Sequence, residues 1–381
     1  MTLQQTRIII CRSNPVAPDP RVEKEAASLT EAGYQISVIG WDRSALSPLH
    51  EKKDGYEVYR IPILAQYGMG LGNLPKLARW QVRLFLYLLI HRKDFDIVHA
   101  CDFDTVLPRL LMKLFFKKKL IYDIFDFYPD HLRNTPAWIK QAIRTLDYWI
   151  INWANAVILV DDARREQIKE TTPRRLSIIY NSPEDSYSPN NKIRSSSPGV
   201  IKLSYVGLFQ KERGLFEILS IVKKHPKWTL DMAGFGGDEE DVHAVCTELQ
   251  NVNWHGTVPY EKALELSQKA DVLFATYDPK IPNHKYSSPN KLFEAMMLGK
   301  PIIVSRDTNM DMIVAKHDCG MIVNYGNETE LEDTLLKLAN DPQLRKRLGE
   351  NARKAYASHY SWSIMKSRLI ELYSQVQQAH V

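Results

Sequence analysis

The sequence predicts an α/β protein built around parallel sheets. Short β-branched runs alternate with amphipathic segments of helical length through most of the 381 residues, which is the pattern of repeated βαβ units. Length is a second indication, because roughly 150 residues per domain divides this chain into two domains. A third is a hydrophobic content of 44% with a formal net charge of only +5, which excludes a disordered or collagen-like chain.

The two halves of the chain carry the same order of predicted elements. Strands of the first half are expected at 7–11, 35–40, 57–61, 97–100, 119–123, 156–160 and 176–180. Strands of the second half are expected at 202–206, 229–233, 252–255, 272–275, 301–304 and 320–323. The first helix is predicted over 22–32, with Gly33 at its C′ position. No short-period repeat is visible, so we expect two similar domains and not a solenoid.

A polar stretch rich in Pro and Ser, over 182–199, is the linker between the halves. We therefore predict a Rossmann-like N-terminal domain over 1–190 and a Rossmann-like C-terminal domain over 191–360. A helical region over 330–356 is broken near Asp341-Pro342, and a last helix follows over 361–378. Because that helix is rich in apolar residues it must dock, and we expect 361–381 to complete the first domain.

The sequence gives little indication of a metal site, a disulfide framework or a membrane-spanning segment. The cysteines lie far apart without CxxC or Cys/His ligand spacing, so neither a disulfide framework nor a zinc site is expected. Residues 1–7 lack the features of a secretory signal. The longest near-apolar stretch, 84–90, is far shorter than the ~20 residues that span a bilayer. We expect a cytoplasmic location.

Ligands of open α/β sheets bind beyond the carboxyl ends of the strands, so the loops there are the candidate sites. Gly207 follows the strand at 202–206 and lets the backbone approach a ligand, and Arg213 near the next helix adds a charge to the positive end of its dipole. An exposed Glu212–Arg213 surface pair explains the same residues equally well.

The loop that follows 229–233 contains Gly234, Phe235 and Gly236. The helix after it begins with four acids, 238–241, which satisfy the helix dipole and would repel a pyrophosphate. We expect this loop to shape a sugar or base pocket through backbone groups, and a simple tight turn is the alternative.

The helix near residue 290 is where we place the phosphates. Ser288 is predicted as its N-cap and Pro289 as its first residue, and its first turn holds Asn290 and Lys291 without an acid, which makes an anion site. Glu294 lies on the same face one turn deeper and can accept both hydroxyls of a ribose. The alternative is an intrahelical Lys291–Glu294 ion pair worth a few tenths of a kcal/mol.

At these residues the chain resembles family 4 glycosyltransferases, retaining nucleotide-sugar enzymes of the GT-B fold. The similarity covers nearly the whole chain and is strongest at 288–296, 299–301 and 255–260, with further matches at 19–22, 99–102 and 122–126. It implies two Rossmann-like domains with parallel sheets that face a cleft, and a nucleotide-sugar donor held mainly by the C-terminal domain.

By matched position, the resemblance implies that Arg213 and Lys291 hold the pyrophosphate, Glu294 the ribose, and the segment near Val258 the base. Such enzymes usually need no metal, so we expect no cofactor, and we favour a UDP-sugar over a GDP-sugar as donor. Further candidates on the donor side are Tyr286, Asn290 and Leu292. Candidates on the acceptor side are Asn14, Arg21 and Asp102.

Two positions depart from the family pattern. Tyr286 stands where the family often has a Glu that contacts the donor sugar, and Phe125-Asp126 stands where it often has His-Asp or His-Glu. Asp126 is then the best remaining polar candidate for a catalytic residue beside Arg213 and Lys291. The alternative for Asp126 is an N-cap or turn residue before Tyr128-Pro129.

The predicted reaction is retaining transfer of a sugar, of hexosyltransferase type, to a hydroxyl of a glycan or lipid-linked acceptor in surface polysaccharide or glycoconjugate synthesis. Without an obvious nucleophile we expect same-face displacement, in which the leaving phosphate deprotonates the acceptor. The alternatives are a catalytically silent glycosyltransferase-like subunit that binds a nucleotide, and a GT-B sugar-nucleotide epimerase. Nucleic acid is discounted as a partner because the basic surplus is small.

Two basic amphipathic segments suggest contact with an anionic membrane. Segment 76–93 holds five cationic residues and no acid among many apolar ones, and segment 109–119 adds five more cations. Such helices can lie on a bilayer surface, where a lipid-linked acceptor would be found. This would bring the protein to the inner face of the cell membrane. Packed core helices with a solvated basic edge are the equally supported alternative.

Overall fold

The structure of the protein is a computed structural model that describes residues 5–66, 70–132, 135–187 and 196–379. The chain divides into two compact units, of which unit 1 consists of Met1–Tyr180 and Met365–Val381 and unit 2 of Asn181–Ile364. The predicted domain boundary at residue 190 lies outside the described residues. Within the described ranges, no helix combines the length and the apolar character that a membrane span needs.

Unit 1 is built on an eight-stranded sheet in the order β3-β4-β2-β1-β5-β6-β7-β8, in which only β3 runs antiparallel to its neighbour. The strands are β1 (Arg7–Arg12), β2 (Gln35–Asp42), β3 (His50–Lys52), β4 (Glu57–Pro62), β5 (Ile97–Cys101), β6 (Lys119–Ile124), β7 (Ala156–Leu159) and β8 (Leu176–Ile178). All seven strands predicted for this half are confirmed within two residues. β3 was not predicted, because it is a short, partly exposed edge strand without an apolar alternation.

Helices cover both faces of this sheet. They are α1 (Pro20–Glu31), α2 (Leu74–Ile90), α3 (Phe103–Phe116), α4 (Tyr128–His131), α5 (Ala137–Trp153) and, at the end of the chain, α14 (Trp362–Gln378). Gly33 has φ +91° directly after α1, as its predicted C′ role requires. α2 buries one stripe at helical spacing, Trp80, Leu84 and Leu88, against residues of β1 and β2. α14 buries Tyr373, whose hydroxyl lies 2.6 Å from Nδ1 of His99 in β5.

Unit 2 has a six-stranded, fully parallel sheet in the order β11-β10-β9-β12-β13-β14. Its strands are β9 (Lys202–Leu208), β10 (Thr229–Phe235), β11 (Val252–Gly256), β12 (Val272–Ala275), β13 (Ile302–Ser305) and β14 (Gly320–Val323). Its helices are α6 (Leu215–Lys224), α7 (Glu239–Thr247), α8 (Tyr260–Lys269), α9 (Pro282–Lys285), α10 (Asn290–Leu298), α11 (Met310–His317), α12 (Glu328–Asn340) and α13 (Pro342–Ala355). The six predicted strands are confirmed, as is the helix break at Asp341-Pro342.

The strand order of unit 2 reverses at β9. The chain builds β10 and β11 on one side of β9 and then crosses to β12, β13 and β14 on the other. The carboxyl end of β9 is therefore a topological switch point, where open α/β sheets form their ligand crevice. Gly207 lies at this end of β9, and Arg213 follows it closely in sequence.

Candidate active site

Two glycines bring the backbones of β9 and β10 together at the switch point. Gly207 and Gly234 are in register, with φ of +151° and +149°. A Cβ on Gly234 would lie 1.8 Å from the carbonyl oxygen of Gly207, so only glycine fits there. The expectation that Gly234 and Phe235 belong to a loop is wrong, because β10 runs two residues further than predicted. Gly236 follows this strand, and the side chain of Phe235 is exposed.

Lys291 lies in the first turn of α10 with its ammonium group turned inward. Its Nζ is buried without a hydrogen-bond partner among the described residues, although the residue as a whole is half-buried. Nζ lies 3.6 Å from the ring centroid of Tyr205 and 5.7 Å from that of Tyr277. Burial, followed by the nearby Arg213, holds the pKa of Lys291 well below its ordinary value. A buried amino group without a hydrogen-bond partner, close to Arg213, is the structural basis of an anion site.

Arg213 approaches the same place from a 3₁₀ turn, Lys211–Arg213, that follows β9. One terminal nitrogen of its guanidinium donates to the hydroxyl of Tyr277 at 2.6 Å, and Nε donates to Oε1 of Gln210 at 3.1 Å. Its central carbon lies 4.4 Å from the ring centroid of Tyr277. Arg213 is thus held toward Tyr277, the residue that also borders Lys291, which is not the arrangement of a simple surface pair with Glu212.

The start of α10 adds further donors. The N-cap is Pro289 (φ −73°, ψ 145°), whose carbonyl accepts from the amide of Leu292 at 3.1 Å. The predicted Ser288 cap and Pro289 first residue are therefore wrong by one position, because the first helical bond begins at Pro289. The first turn holds no acid, as predicted. The hydroxyls of Ser287 and Ser288 are buried without a hydrogen-bond partner in the described ranges, so this helix start presents unused donors.

Glu294 is buried one turn deeper, and its Oε1 accepts from the hydroxyl of Tyr260, at the start of α8, at 3.1 Å. The intrahelical Lys291–Glu294 ion pair is not formed, since Nζ of Lys291 has no hydrogen-bond partner there. Val258, in the loop between β11 and α8, is half-buried.

The other predicted donor residues lie near the same helix. Asn290 is the first residue of α10, and Tyr286 directly follows α9; both are half-buried. Leu292 is fully buried and its amide is already bonded to Pro289, so its side chain packs the core. The structure brings together Gly207, Arg213 and Lys291, and their roles toward a donor stay predictions.

In unit 1, Arg12 connects two of the predicted acceptor-side residues. Its Nε lies 3.0 Å from Asp19, to which the amide of Asn14 also donates at 2.7 Å. Another nitrogen of Arg12 pairs with Asp102, and the guanidinium lies 4.2 Å from the ring centroid of Phe125. Burial raises the pKa of Asp102 to about 7 although the charge of Arg12 opposes it.

Asp102 has φ +65°, an uncommon backbone conformation for a residue other than glycine. Its Oδ1 accepts from the backbone amides of Phe125 at 2.8 Å and Asp126 at 3.3 Å. Its carboxylate thus fixes the turn after β6 that carries the predicted catalytic candidate.

Arg21 is not exposed to an acceptor. It is fully buried, with nitrogens 2.9 to 3.2 Å from the carboxylate of Asp123 and a bond of 2.8 Å to the carbonyl of Ile179. Glu25, His99 and Asp123 lie close enough to ligate a metal ion. The guanidinium of Arg21 already pairs with both carboxylates, which is the arrangement of a buried ion network.

Asp126 lies in the turn after β6 with its side chain 52% exposed, and it pairs with Arg164 at 2.9 Å. The residue that caps α4 is Phe127, so the N-cap alternative for Asp126 is wrong. A turn position and a catalytic role both remain consistent with its exposure.

Comparison with known proteins agrees with this architecture. A model described as "Glycosyl transferase 4-like domain" matches residues 17–182, and one described as "Glycosyl transferases group 1" matches residues 190–355. The chain belongs to the group 1 glycosyltransferases. It is therefore a transferase enzyme, and the family that its motifs resemble is confirmed.

This glycosyltransferase is 25% identical over 357 residues to an uncharacterized glycosyltransferase of Methanocaldococcus jannaschii, covering 87% of the chain and 88% of that protein. The sucrose-phosphate synthase of Thermosynechococcus elongatus superposes with a TM-score of 0.78 at 14% identity, over 99% of this chain and 100% of that one. Anabaena HepE, solved in complex with UDP and glucose, gives 0.71 at 16% identity, over 97% and 100%. These structures establish the GT-B fold.

Several residues of the site were not predicted from the sequence. Tyr205 and Tyr277 border the two cations, Tyr260 bonds Glu294, and Arg12 organises the turn of Asp102. Tyr277 alone had a local signal, because it lies two residues beyond the carboxyl end of a predicted strand, where ligands of such sheets bind.

Proposed function

We propose that this glycosyltransferase moves a sugar, with retention of anomeric configuration, from a nucleoside-diphosphate sugar to a hydroxyl of a glycan or lipid-linked acceptor. The observation that carries the proposal is the buried, unpartnered amino group of Lys291 at the switch point, with Arg213 beside it. A UDP-sugar is favoured as donor, and a structural neighbour with this fold was solved with UDP and glucose.

In this proposal Lys291, Arg213 and the amides at the start of α10 bind the diphosphate, and Glu294 accepts from the ribose. The bond between the anomeric carbon and the phosphate oxygen breaks, and its electron pair stays on the phosphate. The acceptor oxygen attacks from the same face while its proton passes to that phosphate oxygen. The two cations stabilise the developing negative charge, so the step requires no metal. Asp126, in unit 1, is proposed as a further catalytic residue.

The test is a panel of nucleotide sugars offered with glycan and lipid-linked acceptors. Lys291→Ala and Arg213→Ala should each lower turnover by about two orders of magnitude or more, with far-UV circular dichroism unchanged. Lys211→Ala is the matched control, because Lys211 lies in the same 3₁₀ turn but pairs with Asp241 at 2.8 Å. Near-wild-type transfer by both active-site variants would overturn the assignment.

The same panel of nucleotide sugars distinguishes a glycosyltransferase from the two alternative functions. Conversion of a nucleotide sugar to its epimer would identify an epimerase. Binding without turnover would identify a silent subunit, an alternative favoured by Phe125, whose ring is covered by Arg12 and Arg21. A thermal-shift screen of UDP, GDP and their sugars identifies the base, since a ligand that binds only the native state raises its stability.

We further propose that unit 1 contacts an anionic membrane, at the cytoplasmic face, through the outer sides of α2, α3 and α5. Lys76, Arg79 and Arg83 of α2 accompany an exposed aliphatic edge, on which Ile90 is 72% exposed. α3 contributes Phe115, 70% exposed. Arg109 is fully buried and so is not part of the surface, a correction to the 109–119 segment.

α5 adds tryptophans that the sequence analysis did not assign to this surface. Trp138 is 73% exposed, Trp149 and Trp153 are also exposed, and Asp147, the acid of this helix, is buried. Tryptophan is enriched at the interface of bilayers, and each cation near an anionic surface contributes about 1 kcal/mol. The surface therefore combines both contributions that hold an amphipathic helix on lipid.

Vesicles of phosphatidylglycerol and of phosphatidylcholine test this contact by co-sedimentation. The protein should bind the anionic vesicles, bind less in high salt, and lose affinity when Trp138 and Trp153 are both changed to Ser. Met312→Ser, at an exposed apolar residue of unit 2, is the control and should bind as wild type. Absence of binding at low salt would overturn the membrane proposal.

A further inference from the structure

The side chain of Lys291 is oriented in the opposite way to most lysines. Lysine usually buries its aliphatic stem and keeps the ammonium in water. Here part of the residue is exposed while Nζ is buried and has no hydrogen-bond partner in the described structure. An ammonium in this position has lost its hydration without gaining a counter-ion.

The groups that face Nζ do not replace that hydration. From the turn before α6, Arg213 adds a like charge. On the helix of Lys291 itself, Glu294 attracts a positive charge but is not hydrogen-bonded to Nζ and accepts from Tyr260. Tyr205, in β9, and Tyr277, two residues after β12, present uncharged rings, because burial raises the pKa of both phenols.

The relative sizes of the aromatic contact, the burial penalty and the repulsion by Arg213 decide whether Lys291 is charged in the empty site. Contact of a desolvated ammonium with an aromatic face stabilises it. The penalty for burying an unpaired ion is larger than this gain, even after the protein relaxes. The repulsion of Arg213 acts in the same direction as that penalty, so the uncharged amine is favoured while the site holds no anion.

We infer that Lys291 is a neutral amine in the empty donor site and takes up a proton when a nucleoside diphosphate binds. The inference rests on the proposed function, because it requires that the diphosphate occupy this site. The phosphate oxygens would supply the counter-charge that the protein lacks, so the ammonium forms together with the complex. The proton is released again when the product diphosphate leaves, which links each catalytic cycle to proton uptake and release at Nζ.

Isothermal titration calorimetry with UDP at pH 8, where the free nucleotide is fully ionised, measures this linkage. Titrations in buffers of different ionisation enthalpy give the number of protons exchanged. We expect uptake that approaches one proton per UDP bound, and an affinity that falls by up to about tenfold per pH unit above the pKa of the empty site.

Two variants distinguish titration of Lys291 from other sources of protons. Lys291→Arg keeps the charge and cannot deprotonate, so it should bind UDP without proton uptake, and Lys291→Met should show weak binding without uptake. Lys211→Ala should keep the wild-type uptake. If wild type binds UDP without taking up a proton, the inference is overturned while the donor site stands. If wild type binds neither UDP nor GDP, the proposed function itself fails.

Discussion

Removal of one hydroxyl, by Tyr277→Phe, isolates the contribution of a single contact to the placement of Arg213. The hydroxyl accepts from the guanidinium at 2.6 Å, and the residue is almost fully buried. A hydrogen bond to a charged group contributes about 1.5 to 3 kcal/mol, which corresponds to about 10- to 100-fold in a rate or binding constant. The phenyl ring retains the packing, so the melting temperature should change little.

The assay is the kcat/KM of the donor, measured by release of the nucleoside diphosphate. If Tyr277 positions Arg213 for the departing phosphate, kcat should fall more than the affinity for the diphosphate product. Tyr325→Phe is the matched control, because its hydroxyl contacts the carbonyl of Lys211 in the same 3₁₀ turn and not Arg213. A Tyr277→Phe enzyme within twofold of wild type, alongside an inactive Arg213→Ala, would refute the positioning role.

Two further predictions concern stability. Gly234→Ala places a Cβ against the carbonyl oxygen of Gly207 in a left-handed backbone conformation, so it should lower the free energy of unfolding by about 3 kcal/mol in urea denaturation; Gly237→Ala, which meets open space, should be neutral. Burial raises the pKa of Asp147 to about 7, and its Oδ1 accepts from Tyr122 at 2.8 Å. The folded state therefore holds this proton more tightly than the unfolded state, and stability falls as the pH rises from about 4 through 7. Asp147→Asn should reduce that fall by about 4 kcal/mol; an unchanged pH dependence of unfolding would contradict the assignment.

The strands of both units were predictable because their signal is local. Most lie in β-branched apolar runs bounded by turn residues, and such a run is typical of a buried parallel strand. β3 had no such signal, since it depends on pairing with β4 at a sheet edge. The ends of β9 and β10 were placed two residues too early, because the close approach of Gly207 and Gly234 depends on the register between strands.

The cationic residues of the site could be predicted from the sequence, but the aromatic residues that surround them could not. Lys291 stood in the first turn of a predicted helix without an acid, which indicates an anion site. Arg213 was equally well explained by a surface pair, and its place in the site was implied by the family resemblance. The rings that border Lys291 come from β9 and from the segment that follows β12, so Tyr205 and Tyr277 could be placed only by the sheet order. Arg21 was predicted on the acceptor side, but it is buried, and its partner Asp123 lies far away in sequence on β6.

The burial of α14 in unit 1 also sets an order of events during synthesis. Unit 2 is one continuous segment, whereas unit 1 needs residues from both ends of the chain. Met365, Leu369, Tyr373 and Val376 of α14 are fully buried, and Tyr373 bonds His99. The first half of the chain leaves the ribosome long before α14 has been synthesised. One face of the sheet of unit 1 therefore stays incompletely covered until that helix is available. We therefore expect unit 1, although its sheet is made first, to be completed only after the whole of unit 2 has been synthesised.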